Sequence, residues 1–193
     1  MAVAMFVLAA ACGCGTDGAK PAPLPRTAPA VGPSLRYRPP SLGARAARGL
    51  PVAGLRCTRA GGPRFGVHLE LFGDRRVVLV PPGIGIAPPR ARKGAYVSGG
   101  RCSYPLRTRE PTGVVEVQAT APAKTLGQLF AVWGQPLGRN GMAGFRGPVR
   151  AYVGGRPWGG PPGAIPLDRH AQIVLEVGGY VRPHASYGFP RGL

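Results

Sequence analysis

The sequence is poor in acid. Asp and Glu together number 7 of 193 residues, against 25 Lys and Arg, giving a formal charge of +18. So few carboxylates leave little material for paired acid–base catalysis. Lysine is scarce as well: Lys20, Lys93 and Lys124 are the whole complement, so the positive charge is carried by arginine. Histidines number 3 and cysteines 4, with no Cys-x-x-Cys and no clustered histidines. That argues against the short-spaced ligand sets of zinc and redox sites. No Gly-x-Ser-x-Gly elbow is present. The glycines of PPGIGIAPP (81–89) have neither the lysine nor the following helix of a phosphate-binding loop. Apolar runs stop well short of the roughly 20 residues that cross a bilayer. No catalytic machinery and no cofactor are therefore expected.

Glycine and proline are abundant, at 32 and 24 residues. Such a content favours disorder or loop-dense β structure. A hydrophobic fraction of 44% and a mean hydropathy near zero exclude disorder throughout. The arginine excess has two possible origins, a GC-rich genome or an anionic partner. Nucleic acid, anionic lipid headgroups and phosphate-rich wall polymers are the partner classes that a charge of +18 would attract.

The chain opens with MAVAMFVLAAA (1–11), apolar and ending in small residues, followed by Cys12, Gly13 and Cys14. This matches the apolar region of an export signal. A cysteine at the boundary resembles a bacterial lipoprotein signal, lipidated at Cys12. Leu8 lies one position further from Cys12 than that pattern prefers, and no cation precedes the run. A simple secretory signal is the alternative, and Cys14 competes for the processed position. Residues 15–52 are rich in Pro, Ala, Gly and Arg without apolar period. They read as a disordered, semi-extended tether after a signal at 1–14. Residues 53–193 then form one domain.

Within that domain Val67–Phe72 alternates, placing Val67, Leu69 and Leu71 on one face and His68, Glu70 and Phe72 on the other. Gly73-Asp74 reads as the loop and Arg76–Val80 as the return strand of a hairpin. Val149–Val153, Gly154-Gly155 and Arg156 repeat the design, and each hairpin is followed by Pro-Leu and a Val/Ile-rich strand (114–118 and 173–177). Two units, 67–118 and 149–178, thus flank a helix at 125–134. Thr125 and Gln128 supply a capping box, Leu126, Leu129, Phe130 and Trp133 an apolar face, and Gly134 and Pro136 a stop. The expected fold is α+β, with five to six short strands in hairpins and one helix packed on the sheet in a β-grasp-like order. A small open β-barrel is the alternative.

Cys57 and Cys102 are an even pair in an exported chain, which favours a disulfide. His68 and Glu70 share one strand face and are the weak candidates for half a metal site, with Glu116 or His170 as the further ligand such a site needs. A polar pair on the less buried sheet face is the favoured reading of them. His170 and His184 read as solvated, and Glu70, Glu116 and Glu176 as ion-paired surface groups. Basic residues cluster at Arg56/Arg59/Arg64, Arg75/Arg76, Arg90/Arg92/Lys93 and Arg101/Arg107/Arg109. Arg90, Arg92, Lys93, Arg101, Arg107 and Arg109 would form an anion-binding face if their loops meet, with Tyr96 and Tyr104 beside them.

The segments GIGIAPP (83–89), RCSYPLRTREPTGVVEV (101–117), LGQLFAVWGQPL (126–137), PVRAYVGGRPW (148–158), IPLDRHAQIVLEVGG (165–179) and YGFPRGL (187–193) resemble an uncharacterised family of exported actinobacterial small β-rich domains. The resemblance implies the fold and export, and supplies no activity. It also implies histidine-rich relatives, with His-Thr-His-Asp-like residues where this chain has Arg107-Thr108-Arg109-Glu110. Metal binding is correspondingly disfavoured here and would be vestigial. The expectation is an exported, lipid-anchored, non-enzymatic binding or scaffolding domain at the outer face of the cytoplasmic membrane or in the wall. Its partner would be anionic or a membrane surface, with nucleic acid the less favoured.

Overall fold

The computed structural model describes residues 42–59, 61–120 and 122–193. The expected export signal, Cys12, Cys14 and the expected tether up to residue 41 lie outside the described residues.

Twelve strand segments and two α-helices are present among the described residues. The principal sheet is built from β1 (Arg64–Gly73), β2 (Arg76–Val77), β5 (Leu106–Thr108), β6 (Val114–Gln118), β10 (Arg150–Val153), β11 (Arg156–Pro157) and β12 (Gln172–Val177). Its order is β11-β10-β12-β1-β6-β5, with β2 also on β1. β1 and β12 lie parallel at the centre, and the other pairs are antiparallel. The sheet is open, with β11 and β5 at its edges, so the protein is β-rich α+β and no barrel closes among the described residues.

The helix α2 (Leu126–Trp133) forms where the capping signals placed it. Thr125 accepts from the Gln128 backbone, Gln128 answers with its side chain, and Gly134 ends the helix at φ +76°. Leu126, Leu129, Phe130 and Trp133 are all buried and meet the inward side chains Val67, Leu69 and Leu71 in one core. Both hairpin turns are two residues with positive φ, as the right-handed twist of a hairpin favours. The second is Gly154-Gly155, as expected. The first is displaced by one residue. Gly73 pairs with Arg76, so Asp74 and Arg75 form the loop at φ +50° and +63°. The return strand is also shorter than the expected 76–80: after Val78 donates to Leu71 the chain leaves the sheet.

The two expected units pair their strands alike. In each unit the first strand pairs antiparallel with its return and with the third strand: β1 with β2 and β6, β10 with β11 and β12. Three features extend beyond the expected pattern. A separate hairpin, β3 (Ile86–Lys93) and β4 (Tyr96–Ser103), occupies the Pro- and Gly-rich stretch that reads as loop; a register break between Ala87 and Arg90 accommodates Pro88-Pro89. A small three-stranded meander, β7 (Leu137–Gly138), β8 (Gly141–Met142) and β9 (Phe145–Arg146), follows the helix. The folded part also begins before residue 53: α1 (Ala44–Ala47) buries Ala46, Leu42 joins the core, and the amide of Gly43 donates to the carbonyl of Val132. The last part of the nominal tether is thus structural.

The outer sheet face is covered as well. Residues 180–193 cross it without regular secondary structure. Phe189 sits over Gly66, where a Cβ would collide with its ring. Phe72, Tyr152 and Val174 form a second small core beneath Val181. His68 and Glu176 are therefore buried, and the outer face is not the solvated one that its polar residues suggest.

Candidate functional site

Cys57 and Cys102 form a disulfide with Cα atoms 5.4 Å apart. It ties the segment entering β1 to β4, next to the reciprocal backbone bonds of Thr58 and Ser103. Among the described residues no helix is long and apolar enough to cross a membrane.

Two clefts carry chemistry. The first is basic. Glu116, on β6, is the hub of an arginine cluster: its Oε2 accepts from Arg64 Nη1 at 2.8 Å and Arg107 Nε at 2.7 Å, and its Oε1 from Arg109 Nε at 2.9 Å. Adjacent antiparallel strands β1, β6 and β5 place Arg64 and Arg107 beside it. Burial alone would raise the Glu116 carboxyl, but the Arg107 hydrogen bond and the charges of Arg107 and Arg109 hold it below the usual carboxylate range. Burial also pushes the Arg107 guanidinium below its ordinary value, against the pull of Glu116. Arg109 is fixed further by the carbonyl of Val97 and lies 5.6 Å from the Tyr96 ring centre. Arg64, Arg107 and Arg109 line one open cleft together with Arg59 and Arg101. Arg101 reaches the carbonyl of Ala47.

Of the expected anion-binding residues, Arg101, Arg107 and Arg109 come together. Arg90 folds back on the carbonyl of Ile86, and Arg92 and Lys93 stand exposed at the outer end of β3. Arg59 and Arg64, grouped by sequence with another cluster, take their place. Tyr104 does not line this cleft: it is buried, and its hydroxyl donates to the carbonyl of Leu50.

The second cleft has a volume of about 330 Å³ and is lined mostly by aliphatic side chains. His68, Glu70, His184 and Tyr187 form its polar wall. His68 lies against Tyr187, ring centres 3.7 Å apart and planes within 9°. Its Nε2 contacts the carbonyl of Thr112 at 2.9 Å and its Nδ1 the side-chain amide of Gln172 at 2.7 Å. Burial pushes the imidazole below its ordinary value, against the opposing effects of the Gln172 bond and the Glu70 charge. Both atoms that face the ring nitrogens are oxygens, Gln172 Oε1 and the Thr112 carbonyl. Glu70 accepts from Nδ1 of His184 at 2.9 Å and lies 4.0 Å from His68.

The further ligands that a metal site at His68 and Glu70 would need are engaged elsewhere. Glu116 belongs to the arginines, and His170 contacts the carbonyl of Leu193 and stacks on Phe189. Among the described residues no three His, Cys, Asp or Glu side chains converge to hold a metal ion. His184, read as solvated, has a side chain that is 50% exposed and also hydrogen-bonds Glu70. Glu176 and Glu116 are buried rather than at the surface, and burial raises Glu176. The signal available for His184 and Tyr187 was the tail's aromatic content, which lacks the period that would have assigned it to a sheet face.

No family model, curated protein or solved structure matches this chain.

Proposed function

We propose that this chain is an exported, lipid-anchored, non-enzymatic binding domain whose arginine cleft receives a phosphate-bearing polyanion. The observation that carries the reading is the convergence of Arg59, Arg64, Arg101, Arg107 and Arg109 on one cleft, with Glu116 holding Arg64, Arg107 and Arg109. Held by Glu116, three guanidiniums are oriented before any ligand arrives, which lowers the ordering cost of binding. Arginine's planar fork suits phosphate oxygens. Export is supported by the disulfide, which persists in oxidising compartments, and by the signal-like N-terminus ending at Cys12. A wall or membrane-surface polymer is then the accessible polyanion, ahead of nucleic acid. A β-grasp-like fold and kinship with the exported actinobacterial domains belong to the same proposal. The first and last main strands lie parallel at the centre with the helix between them in sequence, which is the order that reading requires.

The test separates a built cleft from bulk charge. Inorganic polyphosphate binding is measured by calorimetry over a salt series for the wild type, for Arg59→Ala/Arg101→Ala, and for Arg146→Ala/Arg156→Ala, which removes the same charge elsewhere. The cleft variant is expected to lose about tenfold in affinity and the control less than about twofold. Equal losses in the two variants would show that composition alone attracts the anion. Vesicles rich in phosphatidylglycerol and single-stranded DNA, run in parallel, rank the sources of phosphate.

A further inference from the structure

The pairing of β1 leaves a gap. β6 pairs with Arg64–His68 and β2 with Phe72–Gly73; between them the Leu69 amide donates to the Gly113 carbonyl and the Leu71 carbonyl accepts from Val78, so the ladder is interrupted at Glu70. The gap opens into the 330 Å³ cleft, whose apolar walls include Leu71, Val78, Leu79, Val80 and Pro111. Leu79 is 50% exposed there. The volume is at the low end of the range for small-molecule sites.

We propose that this cleft binds a hydrophobic organic cation, an amine or quaternary ammonium on an apolar body, with Glu70 as the counter-ion. The choice of charge follows from the surroundings of Glu70. In a chain with 25 Lys and Arg and 7 acids, Glu70 has no arginine or lysine ion partner among the described residues. Its partners are two histidines, His184 at 2.9 Å and His68 at 4.0 Å. The Glu70 side chain is 16% exposed, so its charge is only partly screened by water. Tyr187 lines the same cleft with its ring stacked on His68. Arg182 also lines the cleft, but it is exposed to water whereas the Glu70 side chain is 16% exposed. The nearby carboxylate therefore decides the sign of the preferred ligand despite the net charge of +18. A ligand carboxylate would meet Glu70 as a like charge in a partly dry site. The proposal does not rest on the arginine cleft.

Three probes of one shape isolate the head group: octylamine, octanol and octanoate, each titrated below its micellar concentration by calorimetry or amide chemical shifts. Octylamine is expected to bind about tenfold more tightly than octanoate, with octanol between them. Glu70→Gln should erase that ratio and leave octanol unchanged. His184→Ala removes the donor that competes for the Glu70 oxygens and should strengthen octylamine binding about two- to fivefold. This second variant moves affinity in the opposite direction, so a general loss of structure cannot imitate it. Octanoate binding as tightly as octylamine, an unchanged ratio in a folded Glu70→Gln protein, or no octylamine binding to the wild type would each overturn the proposal.

Discussion

Glu116→Gln keeps the side chain's size and removes its charge, and the geometry sets what that costs. Oε2 accepts from Arg64 and Arg107, and Oε1 from Arg109, at 2.7–2.9 Å. An amide replaces only one of those oxygens, and its NH₂ then faces a guanidinium, donor against donor. A charged hydrogen bond contributes about 1.5–3 kcal/mol, and breaking a buried pair costs about 3–5 kcal/mol. Arg64 is 30% exposed, so water offsets part of the loss. The expected cost is about 2–4 kcal/mol at pH 7, which in a domain of this size lowers Tm by about 5–15 °C. Circular dichroism melts and urea titrations measure it. The pH dependence follows from the direction of the shift. Glu116 is held below its ordinary value of 4.5, so its contribution is fully present above that pH and is lost as pH falls toward the folded-state pKa. The gap between wild type and variant should therefore narrow below about pH 4.5. Polyphosphate supplied at ten times its Kd stabilises the protein it binds by about 1.4 kcal/mol and should partly rescue the variant, because it replaces the missing anion. A variant that melts within about 1 °C of wild type at pH 7 would refute the view that Glu116 holds the arginines together.

Two further predictions concern the frame of the site. The Cys57–Cys102 disulfide has a sequence separation of 45, and the chain-entropy estimate for a loop of that length is about 4 kcal/mol. Reduction, or Cys57→Ser/Cys102→Ser, should lower Tm by about 8–16 °C while the far-ultraviolet spectrum is kept; an unchanged Tm would mean that the entering segment does not need its tether. Glu176 is fully covered, with Oε1 accepting from the Val181 amide and Oε2 without a partner, and burial raises its carboxyl. A raised acid favours the folded state at low pH, and that contribution is lost as pH rises through the folded pKa. Glu176→Gln should match wild type near pH 4 and be the more stable protein at pH 7.5, whereas a variant less stable at pH 7.5 would show that the charged form is accommodated.

What was legible in the sequence was local. Thr125 and Gln128 lie three residues apart, and that is enough to start α2. Gly154-Gly155 lies between two alternating runs, and that is enough to fold β10 onto β11. Val67, Leu69 and Leu71 follow a period of two and point into the core. The missed features depend on contacts across long stretches of chain. Pro88-Pro89 and Gly99-Gly100 interrupt the alternation of β3 and β4, so composition reads loop where a register break preserves a hairpin. Leu42 and Ala46 stand in an Ala/Arg-rich stretch with no period, yet each fills a core site. The arginines were visible as clusters, but not which clusters would meet, because Arg64 joins Arg107 only through the register of β1 with β6 and of β6 with β5.

The distribution of acid connects the two clefts. A protein this basic repels further positive charge at long range, so each carboxylate matters for the local sign of the surface. Glu116 is surrounded by arginines and, in the function proposed above, orders donors for an anion. Glu70 lies on the neighbouring strand, on a face that could equally have been flanked by arginine, yet the groups brought to it are imidazoles. One arrives from the same strand, and the other from a tail that crosses the sheet for this contact and for the stacking of Tyr187 on His68. An arginine at position 184 would neutralise Glu70 permanently, whereas a histidine gives up its hydrogen bond without leaving an unpaired buried charge. Glu70 therefore stays available to an incoming cation in a way that Glu116 does not. The tail, which carries no regular structure, is the element that sets this difference.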